Sequence, residues 1–344
     1  MPFKLSALTD LITLPFDDII DVRSPAEFAE DHVPGAINLP ALSNAERARV
    51  GTIYVQEERF LARKIGAALV ARNAADHLQG PLADRPGDWR PLVYCWRGGQ
   101  RSGSFTSILQ QIGWRADVVE GGYKSYRRLV VKALYDALWP GEVVLIDGGT
   151  GTAKTRLLAQ IAAAGGQVLD LEAMAEHRGS LFGPMGEVQP HQKTFESRLA
   201  MAMARLDPAR PVFVEAESSK IGRIIIPPAL WKPMIAARVV EITAPLEARV
   251  GHLVTAYDDL VEAPEKLDAV LQKLVRYHGH AQIEVWQALA VDGDFATLAG
   301  ELIKVHYDPR YARVSRREVA PEDRLDLPDL SDQTLSEVAA QLVG

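Results

Sequence analysis

Val143-Val144-Leu145-Ile146-Asp147-Gly148-Gly149-Thr150-Gly151-Thr152-Ala153-Lys154-Thr155 decides how the second half of this chain folds. Four apolar residues in succession read as a strand covered on both faces. Gly148 to Thr155 then match the pattern G-x-x-x-x-G-K-[ST], except that Ala153 stands in place of the last glycine. Such a loop folds tightly enough for successive backbone N–H groups to point at phosphate oxygens, and the helix after it adds its positive end. The run from Arg156 to Ala164 reads as that helix, so the motif has the strand-loop-helix context it requires. Phosphate binding is therefore assigned to Gly148, Gly149, Thr150, Gly151, Thr152, Ala153, Lys154 and Thr155. Lys154 would meet the terminal phosphates and the Thr155 hydroxyl a magnesium ion, if one is bound. A glycine-rich turn without a ligand is the competing reading, and a Cβ at position 153 is expected to crowd a phosphate or shift the loop.

Working outward, Val168-Leu169, Val212-Phe213-Val214 and Val239-Val240-Glu241-Ile242 are further short apolar strands, and Leu302 to His306 is predicted as a last one. Pro245 to Leu298 reads as mostly helical. Asp170, Glu172, Glu215 and Glu217 follow strand ends, where carboxylates hold a metal or substrate or simply face water. In the first half, Ile19–Val22, Leu92–Tyr94 and Asp117–Val119 alternate with helical stretches beginning at Pro25 and Ser102, the grammar of a parallel sheet. A helix over Ser125–Leu138 leads to Trp139-Pro140-Gly141, which divides the chain into units 1–138 and 139–344.

The chain has 344 residues, 24% of them charged and 47% apolar or aromatic, with one cysteine. A disulfide framework and a Cys-rich metal site are excluded, and the composition is that of a folded globular protein. The uncharged run Leu157–Leu169 is far short of the ~20 residues of a spanning helix. Asp10 interrupts the N-terminus before any secretory core, so no membrane association and a cytoplasmic location are expected. The net charge of −7 disfavours a general attraction to nucleic acid. A local basic face is available at Lys124, Arg127, Arg128 and Lys132, with Tyr123 and Tyr126 interleaved to stack on a base; a solvated helix face is the plainer reading. Arg310, Arg313, Arg316 and Arg317 form a second basic stretch.

Cys95-Trp96-Arg97-Gly98-Gly99-Gln100-Arg101-Ser102 lies between a strand and a helix. This arrangement aims backbone N–H groups at the sulfur, and Arg97 and Arg101 add positive charge, so an accessible, acidic thiol is expected. Asp21-Val22-Arg23-Ser24-Pro25-Ala26-Glu27-Phe28, continued by His32-Val33-Pro34-Gly35-Ala36-Ile37-Asn38-Leu39-Pro40, resembles the N-terminal signature of rhodanese domains, with Cys95 at the persulfide position. The thiol loop followed by a phosphate loop is similar to the tRNA 2-selenouridine synthase family. Agreement extends over His177-Arg178-Gly179-Ser180 with Phe182-Gly183, Gln192-Lys193 with Phe195-Glu196-Ser197, Glu217-Ser218 with Ile221-Gly222, and His306-Tyr307-Asp308-Pro309. Ala153 is the main departure, where the family has glycine.

The resemblance implies an α/β chain with an N-terminal rhodanese-like domain and a C-terminal P-loop NTPase-like domain. It implies an enzyme that alkylates the sulfur of wobble 2-thiouridine in tRNA with geranyl diphosphate. Selenium from selenophosphate then replaces the geranylthio group. Cys95, Arg97 and Arg101 would be catalytic; Cys95 either carries selenium as a selenosulfide or adds to the base. No tightly bound cofactor is expected, magnesium at Thr155 apart. Ile224-Ile225-Ile226 and Trp231 are candidates for a prenyl site, with core packing preferred. An ATP-dependent sulfurtransferase or P-loop kinase fused to a rhodanese domain is the alternative, and a non-catalytic tRNA-binding module a third reading.

Overall fold

The computed structural model describes residues 2–179, 183, 188–258, 263–314 and 323–344. Ser180, Phe182, Arg316 and Arg317, singled out above, lie outside them, as does the side chain of Arg313. The chain divides into two compact units: Met1–Leu138 with Pro190–Arg205 and Pro227–Ala229, and Trp139–Gln189 with Leu206–Ile226 and Leu230–Gly344.

The first unit is built on β1 (Asp18–Asp21), β2 (Ile37–Asn38), β3 (Pro91–Tyr94) and β4 (Asp117–Val118), all parallel in the order β2-β1-β3-β4. β3 is buried along its whole length, which is why it reads as an unbroken apolar run. Ser24 caps the helix Pro25–Glu30 with Glu27 bonded back to its N–H, and Pro25 takes the first turn where its missing N–H is harmless. Ile20, Val93, Phe105, Leu109 and Trp114 form the core beneath two long helices, Asn44–Gln56 and Arg59–Gln79. The helix Gln192–Met203 packs into this unit although its residues follow the phosphate loop in sequence. Where one helix was expected over Ser125–Leu138, an α-helix spans Gly122–Val131 and continues as a π-helix over Lys132–Asp136.

The second unit carries a parallel sheet of β5 (Val143–Gly148), β6 (Gln167–Leu169), β7 (Val212–Glu215), β10 (Arg238–Thr243) and β11 (Arg324–Asp326), in the order β11-β10-β5-β7-β6. A small hairpin, β8 (Lys220–Ile221) and β9 (Ile224–Ile225), stands apart from it. The phosphate-loop strand β5 is central, so the loop opens at the carboxyl edge of the sheet beside both neighbouring strand ends, where open α/β sheets bind ligands. The helix Lys154–Ala163 and the C-terminal helix Asp332–Val343 cover one face through Leu157, Ile161, Leu335 and Ala339.

The strand expected over Leu302–His306 is absent: Leu302–Tyr307 is a π-helix continuing Phe295–Glu301. Its short apolar run is ambiguous by periodicity, and the uninterrupted helix before it settles the conformation. The last strand is instead β11, whose Arg-Leu-Asp sequence carries no apolar run. No helix among the described residues is long and apolar enough to cross a membrane.

Candidate functional site

Cys95 follows the carboxyl end of β3, and the chain turns at once into the helix Gln100–Ile112. The turn is held by the start of the helix Gly122–Val131, where Tyr123 N donates to Cys95 O at 2.8 Å and Lys124 N to Trp96 O at 3.1 Å. Gly122 has to be glycine: a Cβ there would lie 2.3 Å from Cys95 O, at a φ of +58°. The sulfur accepts hydrogen bonds from Gly99 N at 3.3 Å and Ser102 Oγ at 3.2 Å. Burial pushes the thiol pKa up, but the Ser102 hydroxyl and the N–H groups of Ser102, Arg97 and Gly99 overcome it and bring it below the ordinary value.

Two expectations change here. The acidity comes from hydrogen bonds rather than from the arginine side chains, because Arg101 is drawn to Glu27 at 2.9 Å and Arg97 is exposed. The thiol is also enclosed rather than open, with Cys95 only 3% exposed. Ser102→Ala is expected to raise the thiol pKa, since a donor to the thiolate is lost. Alkylation by iodoacetamide at pH 7 should slow roughly tenfold, as losing a charge-assisted bond of about 1.5 kcal/mol implies. An unchanged pH profile of alkylation would show that the loop amides suffice.

The phosphate loop has the form its sequence predicts. Gly148 adopts φ +153°, and a Cβ there would meet Ile242 O at 2.5 Å. Ala153 keeps a glycine-like left-handed conformation, φ 60° and ψ 32°, at a cost of about 1 kcal/mol. It is 4% exposed and belongs to the core with Ile146 and Leu157, so the loop keeps its turn despite the added methyl group. Thr150, Gly151 and Ala153 line a cleft of about 870 Å³, and their amides have no hydrogen-bond partner among the described residues. Lys154 lines the same cleft with its Nζ 2.7 Å from Gly148 O. Free amide donors and a cation around one cavity make an anion site.

Around this loop stand residues whose roles the sequence left open or did not reveal. Glu172 and Glu217 are hydrogen-bonded to each other; burial and then the facing Glu217 charge push Glu172 up to about 7, and burial raises Glu217 against the pull of Lys154. Thr155 Oγ1 donates to Glu172 at 3.3 Å. The hydroxyl and two carboxylates are hard oxygen donors of the kind magnesium takes beside a substrate phosphate. Glu215 is fully buried, accepts from Leu171 N, and is pushed well up by burial, so it serves the fold beneath the site. Arg249, which carried no motif signal, donates twice to Thr150 O, at 2.9 and 2.8 Å, and is anchored on both oxygens of Asp308. It thereby braces the loop from behind, and only the fold brings positions 249 and 308 together at residue 150.

The basic face keeps its exposed cations but not the stacking rings expected between them. Lys124, Arg128 and Lys132 are exposed, but Tyr123 and Tyr126 are 3% and 0% exposed and cannot stack on a base. Tyr123 donates to Asp31 at 2.6 Å and lies under the Arg23 guanidinium. Arg127 is paired with Glu196, a carboxylate that also accepts from Tyr135. The helical period that places two tyrosines among cations turns them into the core instead. Arg127→Ala is accordingly expected to destabilise the protein by roughly 3 kcal/mol, because it strands the buried Glu196 charge. Urea denaturation measures this; a change below about 0.5 kcal/mol would show the pair to be a surface contact.

A rhodanese-like domain model matches residues 5–129, and a model described as the tRNA 2-selenouridine synthase AAA domain matches residues 141–322. The second match alone covers more than half of the chain. The chain belongs to the tRNA 2-selenouridine synthase family. Relatives named tRNA 2-selenouridine synthase include one from Nitrosomonas europaea, 36% identical over 73% of this chain and 66% of the relative. One from Hahella chejuensis is 37% identical over 68% of this chain and 62% of the relative. One from Shewanella piezotolerans is 32% identical over 88% of this chain and 81% of the relative. The matched chain thus spans a little under two thirds of the length of the first two relatives. Family membership joins the two candidate sites in one chain: a rhodanese domain carrying Cys95 and an AAA-like P-loop domain carrying Lys154.

Proposed function

We propose that this chain converts the wobble 2-thiouridine of tRNA to 2-selenouridine in two steps. In the first, the thiocarbonyl sulfur attacks C1 of geranyl diphosphate; the S–C bond forms, the C–O bond breaks, and diphosphate leaves into the phosphate loop. Alkylation makes the sulfur a good leaving group. In the second, geranylthiol is expelled from C2 of the base and the selenium of selenophosphate takes its place; water then cleaves the Se–P bond, phosphate leaves, and 2-selenouridine remains.

One observation supports the first step above the others. An almost wholly apolar pocket, lined by Val254, Leu267, Phe295, Leu298 and Tyr307, shares Thr150, Leu253 and Tyr257 with the phosphate cleft. A diphosphate bearing a hydrocarbon chain would use this pairing, with the first carbons of the chain in an apolar space of about 70 Å³ beside the phosphate cleft. Ile224, in the hairpin, and Ile226, just after it, are buried, and Ile225 is half-exposed. Lys154 and the loop amides would hold the diphosphate, with Thr155, Glu172 and Glu217 placed to bind a magnesium ion that would neutralise it further. Ser102 and the loop amides would keep Cys95 ready as a thiolate to add at C2 of the base and expel geranylthiol, after which selenium displaces the cysteine sulfur.

The test is reconstitution with 2-thiouridine-containing tRNA, geranyl diphosphate and selenophosphate, read by mass spectrometry of the nucleosides. Geranylthio-uridine is expected with the diphosphate alone and selenouridine when selenophosphate is added. Selenation that requires ATP and proceeds without geranyl diphosphate would replace this reading with the ATP-dependent one.

A further inference from the structure

Tyr123 and Tyr126 are buried and cannot stack on a base, and the first unit offers another surface that combines open rings with cations. The helices Asn44–Gln56 and Arg59–Gln79 form a hairpin. Between Asn44 and Arg72 it carries six cations against three acids, in a chain whose net charge is −7. Arg63 and Lys64 are exposed and make no ion pair among the described residues. Two aromatic rings stand open on the same hairpin, Phe60 at 70% and Tyr54 at 43% exposure, with the Arg59 guanidinium 5.5 Å from the Tyr54 ring centre. Exposed rings among free cations are costly to keep in water without a partner, and base stacking is a use that suits both.

This hairpin also walls a pocket. A cavity of about 280 Å³ is lined by Tyr54, Ala62, Arg63 and Gly66 on one side and by Gln100, Arg101 and Ser104 on the other. Gln100 and Arg101 open the helix whose Ser102 donates to the Cys95 sulfur. The floor is small and apolar, and the rim offers amide, hydroxyl and guanidinium groups. That combination matches one flat heterocycle with polar edges and a phosphate beside it.

We propose that this hairpin and pocket receive a single-stranded RNA loop, with one unpaired base held between Tyr54 and the start of the thiol-loop helix. The inference rests on the reading of the chain as an RNA-modifying enzyme and adds the surface that reading lacks. Phe60 and Tyr54 stack on bases, Arg63 and Lys64 hold phosphates, and the pocket brings a base to the edge of the thiol loop. Duplex RNA, with its bases stacked inside, gains only the phosphate contacts.

Two variants of the full chain separate these contributions, read by fluorescence anisotropy with a stem-loop RNA bearing an unpaired loop and with a fully paired duplex. Tyr54→Ala with Phe60→Ala is expected to weaken stem-loop binding about tenfold or more and to leave duplex binding unchanged. Arg63→Ala with Lys64→Ala should weaken both and flatten the slope of log affinity against log salt by roughly 1.4. All four side chains are exposed, so thermal melting should match the wild type. Stem-loop affinity within about twofold of wild type in both variants overturns the proposal. A wild-type chain that binds neither RNA removes the RNA reading itself, and this surface with it.

Discussion

Lys154→Ala is expected to slow the proposed geranyl transfer about 10²- to 10³-fold, while the protein stays folded and its affinity for tRNA is unchanged. Removing one preorganised charge from the place where a leaving group becomes anionic costs roughly 3–4 kcal/mol of barrier. Here the remaining donors are the amides of Thr150, Gly151 and Ala153, which line the same cleft. They keep part of the ground-state affinity, so kcat should fall more than KM rises. Lys154→Arg restores the charge on a bulkier head and should recover part of the rate. The assay is geranylation of 2-thiouridine tRNA followed by chromatography of the nucleosides. A normal rate in Lys154→Ala would assign the phosphate loop to another ligand, and loss of binding with an unchanged kcat would reduce Lys154 to a binding group.

Cys95→Ala is expected to abolish selenium incorporation and to let the geranylthio intermediate accumulate. The first step, as proposed, needs a diphosphate site and a nucleophilic sulfur on the base, and assigns no role to Cys95. The second, as proposed, needs a thiolate that adds at C2 and expels geranylthiol, and Cys95 is the sole cysteine of the chain. Cys95→Ser separates nucleophile from shape: it keeps the loop's hydrogen bonding but offers a hydroxyl that is scarcely ionised at neutral pH. It should behave like Cys95→Ala in selenation. Nucleoside mass spectrometry checks both variants, and selenouridine formed at the wild-type rate in either would remove the thiol from the mechanism.

Much of this site was legible in the sequence because its physics is local. A phosphate loop is a continuous run in which glycines, one lysine and one threonine fall at fixed spacing, so the strand, the turn and the helix can be read without knowing the fold. The thiol loop is local in the same way, and β3, β5 and β7 stand out because a strand covered on both faces reads as an apolar run. The misreadings came where local chemistry was ambiguous. Leu302–His306 is as apolar as a strand but continues a helix, and β11 is a strand with charged residues on either side of one leucine.

What the sequence by itself determined, then, was the two parallel α/β units, the loop at the head of each sheet, and the family signature linking them. Tertiary structure alone decided which side chains of a helix face water. Tyr123 and Arg127 look like an RNA face in the sequence, but Asp31 and Glu196 capture them; Glu196 comes from a helix that follows the phosphate loop in the chain yet packs in the first unit. It decided the Arg249–Asp308 brace on the loop and the apolar pocket that meets the phosphate cleft at Thr150, both assembled from segments more than fifty residues apart. The physical reason is the same in each case: hydrogen bonds within a turn are written in neighbouring residues, whereas burial, pairing and cavities depend on which distant segments the close-packed core brings together.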